Sequence, residues 1–550
     1  MDTQARYDQW LSRANRALAA EMRGMSKEAI RDAFRCDLAF GTGGLRGIMG
    51  AGTNRMNVHT VAKASQGLAD YVNAQSKSAT KSITIAYDSR LLSEDFARVA
   101  AGVFTANGIR ALLYPQLMPT PCLSYAVRAL NCAAGVMITA SHNPAPYNGY
   151  KVYGADGCQI TVEAAKRIQA AIDKLDAFED VRQEPWVPEL IPESIYNDYV
   201  EAVKKQSVLY GETINKDVSI VYTPLNGAGL QPVLRTLKEA GFTRITVVPE
   251  QAQPDGNFPT CPYPNPEIKE AMALGIVCAK ENAAELLLAT DPDCDRVGIA
   301  VRDAQGEYAL LTGNEVGMLL LNYICAQRLK HGQMPQDPVL VKTIVTTDMA
   351  GRIAARYGVR TINVLTGFKF IGEQIGYLEA QGKADSYIFG FEESYGYLSG
   401  SYVRDKDAVN GALLICEMFA YYKAQGMSLL DKLEVLYRDY GHCVNALHSY
   451  AFEGAEGFEK MRRIMQTLRS GIVTLGNRRV LHCIDYAQGI DGLPPSDVIK
   501  LVLAGDCSLV VRPSGTEPKL KAYVTASAQN KEAAEAVARE VAEAMAAMTL

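Results

Sequence analysis

At 550 residues the chain is several times longer than a typical domain of about 150, which implies several domains, each able to bury a core of its own. Its composition, 48% apolar and 21% charged, is that of an ordinary globular protein, and a net charge of −5 leaves no basic surface for nucleic acid. The 12 cysteines include no Cys-x-x-Cys pair, which excludes a zinc ribbon or disulfide frame, and the longest apolar run, residues 412–422 with Glu417 inside it, is too short for a bilayer. With no apolar leader at the N-terminus, a cytoplasmic location is expected, with neither nucleic acid nor membrane as partner.

Residues 1–35 place apolar positions at helical spacing among Arg, Glu and Asp and read as exposed amphipathic helices. Gly41-Thr-Gly-Gly-Leu-Arg-Gly47 then breaks the pattern. Its four glycines read as a loop that lets backbone approach a ligand, with Arg46 as the charge able to grip a phosphate or carboxylate. From residue 81 to about 365 one unit is written three times: strand, short turn, helix, glycine, strand. It starts at Ser82-Ile-Thr-Ile-Ala-Tyr87, at Val218-Ser-Ile-Val-Tyr222 and at Val339-Leu-Val-Lys-Thr-Ile344. This is βαβ grammar, and three related α/β domains in tandem explain it economically.

In such sheets ligands gather at the carboxyl ends of strands, so the loops that follow strands are where chemistry is expected. The apolar run from 134 to 138 empties into Thr139-Ala-Ser-His-Asn-Pro144, a polar loop closed at Asn148-Gly149. Ser141 stands at the strand end as a candidate nucleophile, with His142, Asn143 and Lys151 as nearby donors or base; an ordinary turn would use the same residue types. Glu285-Leu-Leu-Leu-Ala-Thr290 runs likewise into Asp291-Pro-Asp-Cys-Asp-Arg296. Three carboxylates at alternate positions repel unless a cation joins them, and oxygen ligands suit a hard ion such as Mg²⁺. An EF-hand is excluded, since its sixth and twelfth positions hold Arg296 and Arg302; an aspartyl-phosphate site with Asp291 as nucleophile stays open.

Ser386-Tyr-Ile-Phe-Gly-Phe391 runs into Glu392-Glu-Ser-Tyr-Gly396, where Glu392 and Ser394 are spaced to meet adjacent sugar hydroxyls. Thr366-Gly-Phe-Lys369 and Lys406 in Arg404-Asp-Lys-Asp407 are further candidates. Beyond about residue 441 the grammar changes to a helix near 457–469, strands near 498–503, 507–512 and 520–526, and a terminal helix from Lys531, which is a small α+β domain. Between its last strands Arg512-Pro-Ser-Gly-Thr-Glu-Pro-Lys519 offers an arginine, hydroxyls and backbone N–H groups as a phosphate cradle.

Four such motifs in this order resemble those of the α-D-phosphohexomutases, the family of phosphoglucomutases and phosphomannomutases. The resemblance rests on Thr139-Ala-Ser-His-Asn-Pro144, Asp291-Pro-Asp-Cys-Asp-Arg296, Gly390-Phe-Glu-Glu-Ser394 and Arg512-Pro-Ser-Gly-Thr-Glu-Pro518, and spans nearly the whole chain. It implies three tandem related α/β domains with mixed sheets at 1–210, 211–312 and 313–440, and a smaller C-terminal α+β domain at 441–550, around a central cleft. It further implies that Ser141 is phosphorylated in the active enzyme and binds Mg²⁺ with Asp291, Asp293 and Asp295. Lys151 and Arg46 would be acid/base and electrostatic helpers, with His142 and Lys406 beside them. Glu392, Ser394, Arg296, Thr366 and Gly367 would contact the sugar phosphate, while Arg512, Ser514, Gly515 and Thr516 would hold the phosphate not in transfer.

The activity this implies is interconversion of glucose 1-phosphate and glucose 6-phosphate, with glucose 1,6-bisphosphate as activator and intermediate, in a monomer or dimer whose partners are small sugar phosphates. Mannose phosphates, or ribose and deoxyribose phosphates, are the alternatives. Gly43-Gly-Leu-Arg-Gly47 and Arg404-Asp-Lys-Asp-Ala408 are most similar to bacterial phosphoglucomutases of this length and to phosphopentomutase-like relatives. Phe391, where glycine is common, departs from the family's sugar loop. A phosphatase using Asp291 and a non-catalytic sugar-phosphate sensor are the other function classes.

Overall fold

The computed structural model describes residues 2–41, 43–75, 81–452, 454–490, 492–514 and 519–549. They fall into two compact units, one running to Leu311 and including Phe368–Tyr387 and Tyr395–Tyr421, the other made of Thr312–Gly367, Ile388–Ser394 and the chain from Tyr422 onward. The stretch 313–440 is thus shared between the two.

The first unit opens with three short helices, Thr3–Arg13, Arg16–Arg23 and Lys27–Phe34. Each has a side-chain N-cap, from Asp2, Asn15 and Ser26, that accepts a first-turn N–H. Their apolar stripes bury Trp10, Met22 and Phe34 against Ala51, Ala177 and Phe178. The first sheet is mixed, in the order Gly44–Ile48, Tyr147–Gly154, Ala134–Ile138, Lys81–Tyr87, Ile109–Leu113, Glu189–Leu190. Its centre is parallel, because helices Ser93–Ala106 and Thr120–Ala129 carry the crossovers, and the pair at one edge is antiparallel.

Here the structure corrects the reading of residues 41–47 as a glycine loop. Gly44–Ile48 is an edge strand antiparallel to Tyr147–Gly154. Gly44, at φ +148°, is required there, since a Cβ would lie 1.9 Å from the carbonyl oxygen of Tyr150. The loop after Ser141 is also shorter than its composition indicates, and Lys151 stands inside a strand, paired with Gly44.

The second sheet runs Tyr308–Leu311, Val297–Arg302, Leu286–Thr290, Ile220–Thr223, Ile245–Val247. Ile220–Thr223 pairs in parallel with both neighbours, and Leu286–Thr290 and Val297–Arg302 form a hairpin whose turn is the aspartate run. Leu286–Thr290 is wholly buried, which is why its sequence is an unbroken apolar run rather than an alternating one.

In the second unit Val339–Thr343 pairs in parallel with Arg360–Val364, and Tyr387–Glu392 is the next strand in that sheet. The C-terminal sheet is antiparallel throughout, in the order His442–Ala451, Lys519–Ala528, Cys507–Pro513, Ile499–Leu503, Arg478–Asp485, Thr474–Leu475. Leu468 and Met465 of helix Gly454–Arg469 and Val541 and Met545 of helix Lys531–Ala547 enter the same core as Ile499, Leu509 and Val524. Three α/β domains and a smaller α+β domain are therefore the architecture, as the sequence implies. Among the described residues no helix is long and apolar enough to cross a membrane.

Candidate active site

Strand Ala134–Ile138 is buried along its whole length and delivers Thr139, Ala140 and Ser141 at its carboxyl end. Ser141 has a φ of +53°, in the left-handed region that non-glycine residues seldom occupy. Its N–H donates to Thr139 Oγ1 at 2.8 Å, and its own Oγ donates to Asp291 Oδ2 at 2.9 Å. His142 Nδ1 lies 3.3 Å from the same Oγ.

Asp291, Asp293 and Asp295 are each fully buried, and one carboxylate oxygen from each lies within 4.8 Å of the other two. Cys294, at φ +51°, turns the loop so that the N–H groups of Asp295 and Arg296 donate to Asp291 Oδ1, at 3.1 and 3.0 Å. The charge is answered by two lysines. Lys151 Nζ is 2.7 Å from Asp293 Oδ2 and 3.4 Å from Asp295 Oδ2, and Lys406 Nζ is 2.9 Å from Asp295 Oδ2. Thr120 Oγ1 donates to Asp293 Oδ2 at 2.8 Å.

These surroundings divide the three acids. Burial, then the charges of Asp295 and Asp293, push the Asp291 carboxyl well above the usual range. Burial would raise Asp293 as well, but the charge and hydrogen bond of Lys151, with Lys406 behind, hold it below. Burial opposes the charge on Lys151, and Asp293 and Asp295 overcome it and raise that ammonium. Burial, helped by Arg296 and Arg46, keeps His142 well below its ordinary value and so neutral at pH 7. Arg46, opposite Gly149 on the edge strand, keeps part of its side chain at the surface, yet burial of its guanidinium among the surrounding protein pushes it down, with Asp293 and Asp295 opposing this and Arg296 adding to it.

The triad fits a hard divalent cation. All its donors are carboxylate oxygens, and Asp293 Oδ1 and Asp295 Oδ1 are buried with no hydrogen-bond partner among the described residues.

Several residues that build this centre carry no signal in a local motif. Thr120 is one. Tyr153 is another: its hydroxyl donates to Asp405 Oδ2 at 2.7 Å, and Asp405 Oδ1 accepts from the N–H of Lys406 at 2.8 Å. Asp407 accepts the hydroxyls of Tyr199 at 2.9 Å and Tyr402 at 2.6 Å, together with the N–H groups of Val409 and Asn410. The loop that aims Lys406 is thereby fixed on both sides. Position at a strand's carboxyl end was the available clue for Thr120, which follows the loop after Ile109–Leu113.

The second unit holds the remaining candidates. Glu392, buried at the end of Tyr387–Glu392, accepts from the N–H of Gly367 at 3.0 Å, and Gly367 has a φ of +120°. Thr366 Oγ1 is buried without a hydrogen-bond partner among the described residues, and Ser394 is half-buried. Glu393 accepts from Thr343 and Thr346 at 3.2 and 3.3 Å. Arg512 donates to Tyr523 OH at 3.2 Å and lies 5.8 Å above that ring, while its Nε is buried without a hydrogen-bond partner among the described residues. Burial raises the Tyr523 phenol, Arg512 opposes this, and Glu393 and Glu392 add to it, so the two loops share one electrostatic neighbourhood. Ser514 is half-buried beside them in sequence; Gly515 and Thr516 lie outside the described residues. Phe391 takes its place in the core. It is fully buried against helix Gly313–Lys330, where a Cβ on Gly317 would meet its ring at 2.2 Å.

Residues 37–179, 197–306 and 312–440 match the profiles of phosphoglucomutase/phosphomannomutase alpha/beta/alpha domains I, II and III, and residues 487–544 match that family's C-terminal domain. The chain is 37% identical over 539 residues to the phosphoglucomutase of Staphylococcus aureus strain USA300, covering 95% of each. The chain belongs to the phosphoglucomutase/phosphomannomutase family. It is accordingly an enzyme, an isomerase of the phosphoglucomutase type that moves a phosphoryl group within its substrate. A phosphoglucomutase/phosphomannomutase family protein from Burkholderia thailandensis shares the fold with a TM-score of 0.70 at 18% identity, over 92% of this chain and 97% of that one. Parafusin from Paramecium, in its open form, shares it with a TM-score of 0.70 at 17% identity, over 93% and 95%. The helices Thr3–Arg13, Arg16–Arg23 and Lys27–Phe34 precede the first span matched to the family.

Proposed function

We propose that the chain interconverts glucose 1-phosphate and glucose 6-phosphate, with Ser141 carrying a phosphoryl group between turnovers and glucose 1,6-bisphosphate as the intermediate. Identity of 37% to a phosphoglucomutase over 95% of the chain supports the choice of glucose phosphates. The role of Ser141 is carried by its 2.9 Å hydrogen bond to Asp291, which sets a strand-end hydroxyl against a buried cluster of carboxylates whose other two members pair with lysines.

In the forward step a sugar hydroxyl attacks the phosphorus on Ser141, the P–Oγ bond breaks, the hydroxyl proton passes to a base at the sugar, and Ser141 Oγ leaves with a proton from an acid beside it. In the return step Ser141 Oγ gives that proton up to the base beside it and attacks the other phosphate of the bisphosphate, the P–O bond to the sugar breaks, and the sugar oxygen that leaves phosphorus takes a proton back. His142, neutral and 3.3 Å from Ser141 Oγ, is the acceptor beside the serine. Lys151, kept charged by Asp293 and Asp295, is a donor to the leaving sugar oxygen, with Lys406 next to it. Arg46 and Arg296 add positive charge at the rim. Mg²⁺ held by Asp291, Asp293, Asp295 and an oxygen on Ser141 would supply the charge that spreads over the transferring phosphoryl group. Glu392, Ser394, Thr366 and Gly367 would read sugar hydroxyls, and Arg512 and Ser514, with Gly515 and Thr516, would hold the second phosphate.

Initial mutase rates with Mg²⁺ and a trace of glucose 1,6-bisphosphate, compared for glucose 1-phosphate, mannose 1-phosphate and ribose 1-phosphate, test the substrate. Glucose 1-phosphate is expected to give the highest kcat/KM. Ser141→Ala is expected to lower turnover by at least about 10³-fold, the scale of losing a covalent nucleophile, and to lose the phosphate that intact mass detects on the wild type. Undiminished turnover in that variant would remove Ser141 from the mechanism.

A further inference from the structure

Strand Lys81–Tyr87 ends in Asp88-Ser-Arg90, a turn whose charged side chains touch neither the carboxylate triad nor the two lysines. Both side chains are wholly buried, with Arg90 Nε 3.4 Å from Asp88 Oδ2. Asp88 Oδ2 also accepts from Thr139 Oγ1 at 2.6 Å, and Thr139 Oγ1 in turn accepts the N–H of Ser141 at 2.8 Å. The fork of Arg90 is spent on backbone. It donates to the carbonyl oxygens of Ser141 and Asn143, to that of Pro144 at 3.0 Å and to that of Tyr147 at 2.9 Å. One guanidinium thus ties four carbonyls of the loop that holds Ser141 in its left-handed conformation.

The other side of Arg90 is continuous with the aspartate loop. The ring of Phe258, itself buried, lies 5.0 Å below the guanidinium. Two residues earlier, a Cβ on Gly256 would fall 2.3 Å from the N of Leu91 and 2.8 Å from the carbonyl carbon of Arg90. That turn is held by Asn226, which accepts from the N–H of Asp255 at 3.1 Å through its carbonyl and donates to the carbonyl of Gln253 at 2.8 Å through its side chain. Next along the chain, Gly227 leaves only 2.4 Å between a would-be Cβ and Pro292 Cα, and the N–H of Ala228 donates to Pro292 O at 2.8 Å. Pro292 separates Asp291 from Asp293.

We propose that Asp88 and Arg90, backed by Gly256 and Phe258, are positioning residues that hold the Ser141 loop in register with the Asp291–Asp295 loop across two sheets. The inference rests on the phosphoryl-carrying role proposed for Ser141. None of the four residues reaches the reacting atoms; they fix the distance between two loops that must meet. Lysine cannot replace the arginine, because a single ammonium cannot span four carbonyls in a fixed fork. A misplacement of about 1 Å is enough to lower a rate by about 10²-fold.

The test compares Asp88→Asn/Arg90→Met, which removes both charges so that neither is stranded, with Arg90→Lys and Gly256→Ala. Each is assayed for kcat and KM with glucose 1-phosphate, for phosphate uptake by Ser141 from glucose 1,6-bisphosphate in a single turnover followed by intact mass, and for folded fraction by thermal melt. The double variant is expected to lose about 10²-fold in kcat and in phosphate uptake, with KM within about threefold of wild type. Arg90→Lys should recover only part of this, and Gly256→Ala, remote from the chemistry, should lose about 10-fold. A purely structural role would lower the folded fraction and leave kcat per folded molecule unchanged, and that result, in the double variant or in Gly256→Ala, overturns the proposal. Full recovery in Arg90→Lys also overturns it. Ser141→Ala runs in parallel: turnover there overturns the serine reading itself, whereas a dead Ser141→Ala with wild-type Gly256→Ala overturns the positioning role alone.

Discussion

The charged centre of the first unit and the polar loops of the second are built to different rules. Around Asp291, Asp293 and Asp295 the protein supplies its own counter-charges, Lys151 and Lys406, and its own hydroxyls, Ser141 and Thr120. In the second unit Arg512 Nε and Thr366 Oγ1 are buried and, among the described residues, meet no hydrogen-bond partner, whereas the open atoms of the first centre are Asp293 Oδ1 and Asp295 Oδ1, the oxygens offered to a cation. A centre that must stabilise charge during bond breaking gains most when its dipoles are fixed before the reaction, since nothing then has to reorganise. A surface that must accept a sugar gains from donors and acceptors left for the ligand to complete. The contrast predicts that lesions in the first unit fall on kcat and lesions in the second on KM.

The severest break is Asp293→Ala. It removes the acid shared by Lys151 and Thr120, and kcat is expected to fall by at least about 10³-fold with little change in KM. Lys151→Met should cost about 10²–10³-fold in kcat, the usual scale for one preorganised electrostatic group. In the second unit Arg512→Lys should raise KM for glucose 1-phosphate about 10-fold while kcat stays within about threefold, because an ammonium cannot grip phosphate with two parallel bonds. A fall in kcat at constant KM for Arg512→Lys would erase the division of labour. Glu392→Gln sharpens it, with a change of about 10-fold in the kcat/KM ratio of glucose 1-phosphate to mannose 1-phosphate.

The smallest effect concerns Lys369, also in the first unit. Burial pushes its ammonium down to about 8, against the pull of Cys158 and Glu373. Because lysine in the unfolded chain titrates near 10.4, the fold carries the penalty in full below pH 8 and sheds it as the pH climbs toward 10.4. Lys369→Met should therefore stabilise the protein by about 2–3 kcal/mol at pH 7 and by far less near pH 10.5, as read from denaturant melts at the two pH values.

What was legible in the sequence is what chemistry writes locally. Asp291, Asp293 and Asp295 stand within five residues of one another at the end of an apolar run, and Ser141 ends another. Their partners are not local. Lys151 is 142 residues from Asp293, and Tyr153 is 252 from Asp405, separations at which no spacing rule operates. Gly44–Ile48 looked like a loop because glycine disfavours strands; its strand state comes from pairing with Tyr147–Gly154, a tertiary contact that overrides propensity. Asp88 and Arg90 were hidden for the opposite reason, since Asp-Ser-Arg after a strand is ordinary turn composition. The departure at Phe391 depends on Gly317, 74 residues earlier in the chain, whose missing side chain leaves room for the ring.

The backbone of Ser141 sets who can write on it. An enzyme that modifies a serine by gripping the surrounding chain as an exposed extended segment needs that segment free. Ser141 is 3% exposed and left-handed, and its flanking carbonyls are already taken by Arg90. Under the phosphoryl-carrying role proposed for Ser141, a phosphate would have to reach this hydroxyl as part of something small enough to enter beside the aspartates, and a mark there would report encounters with metabolites rather than with other proteins.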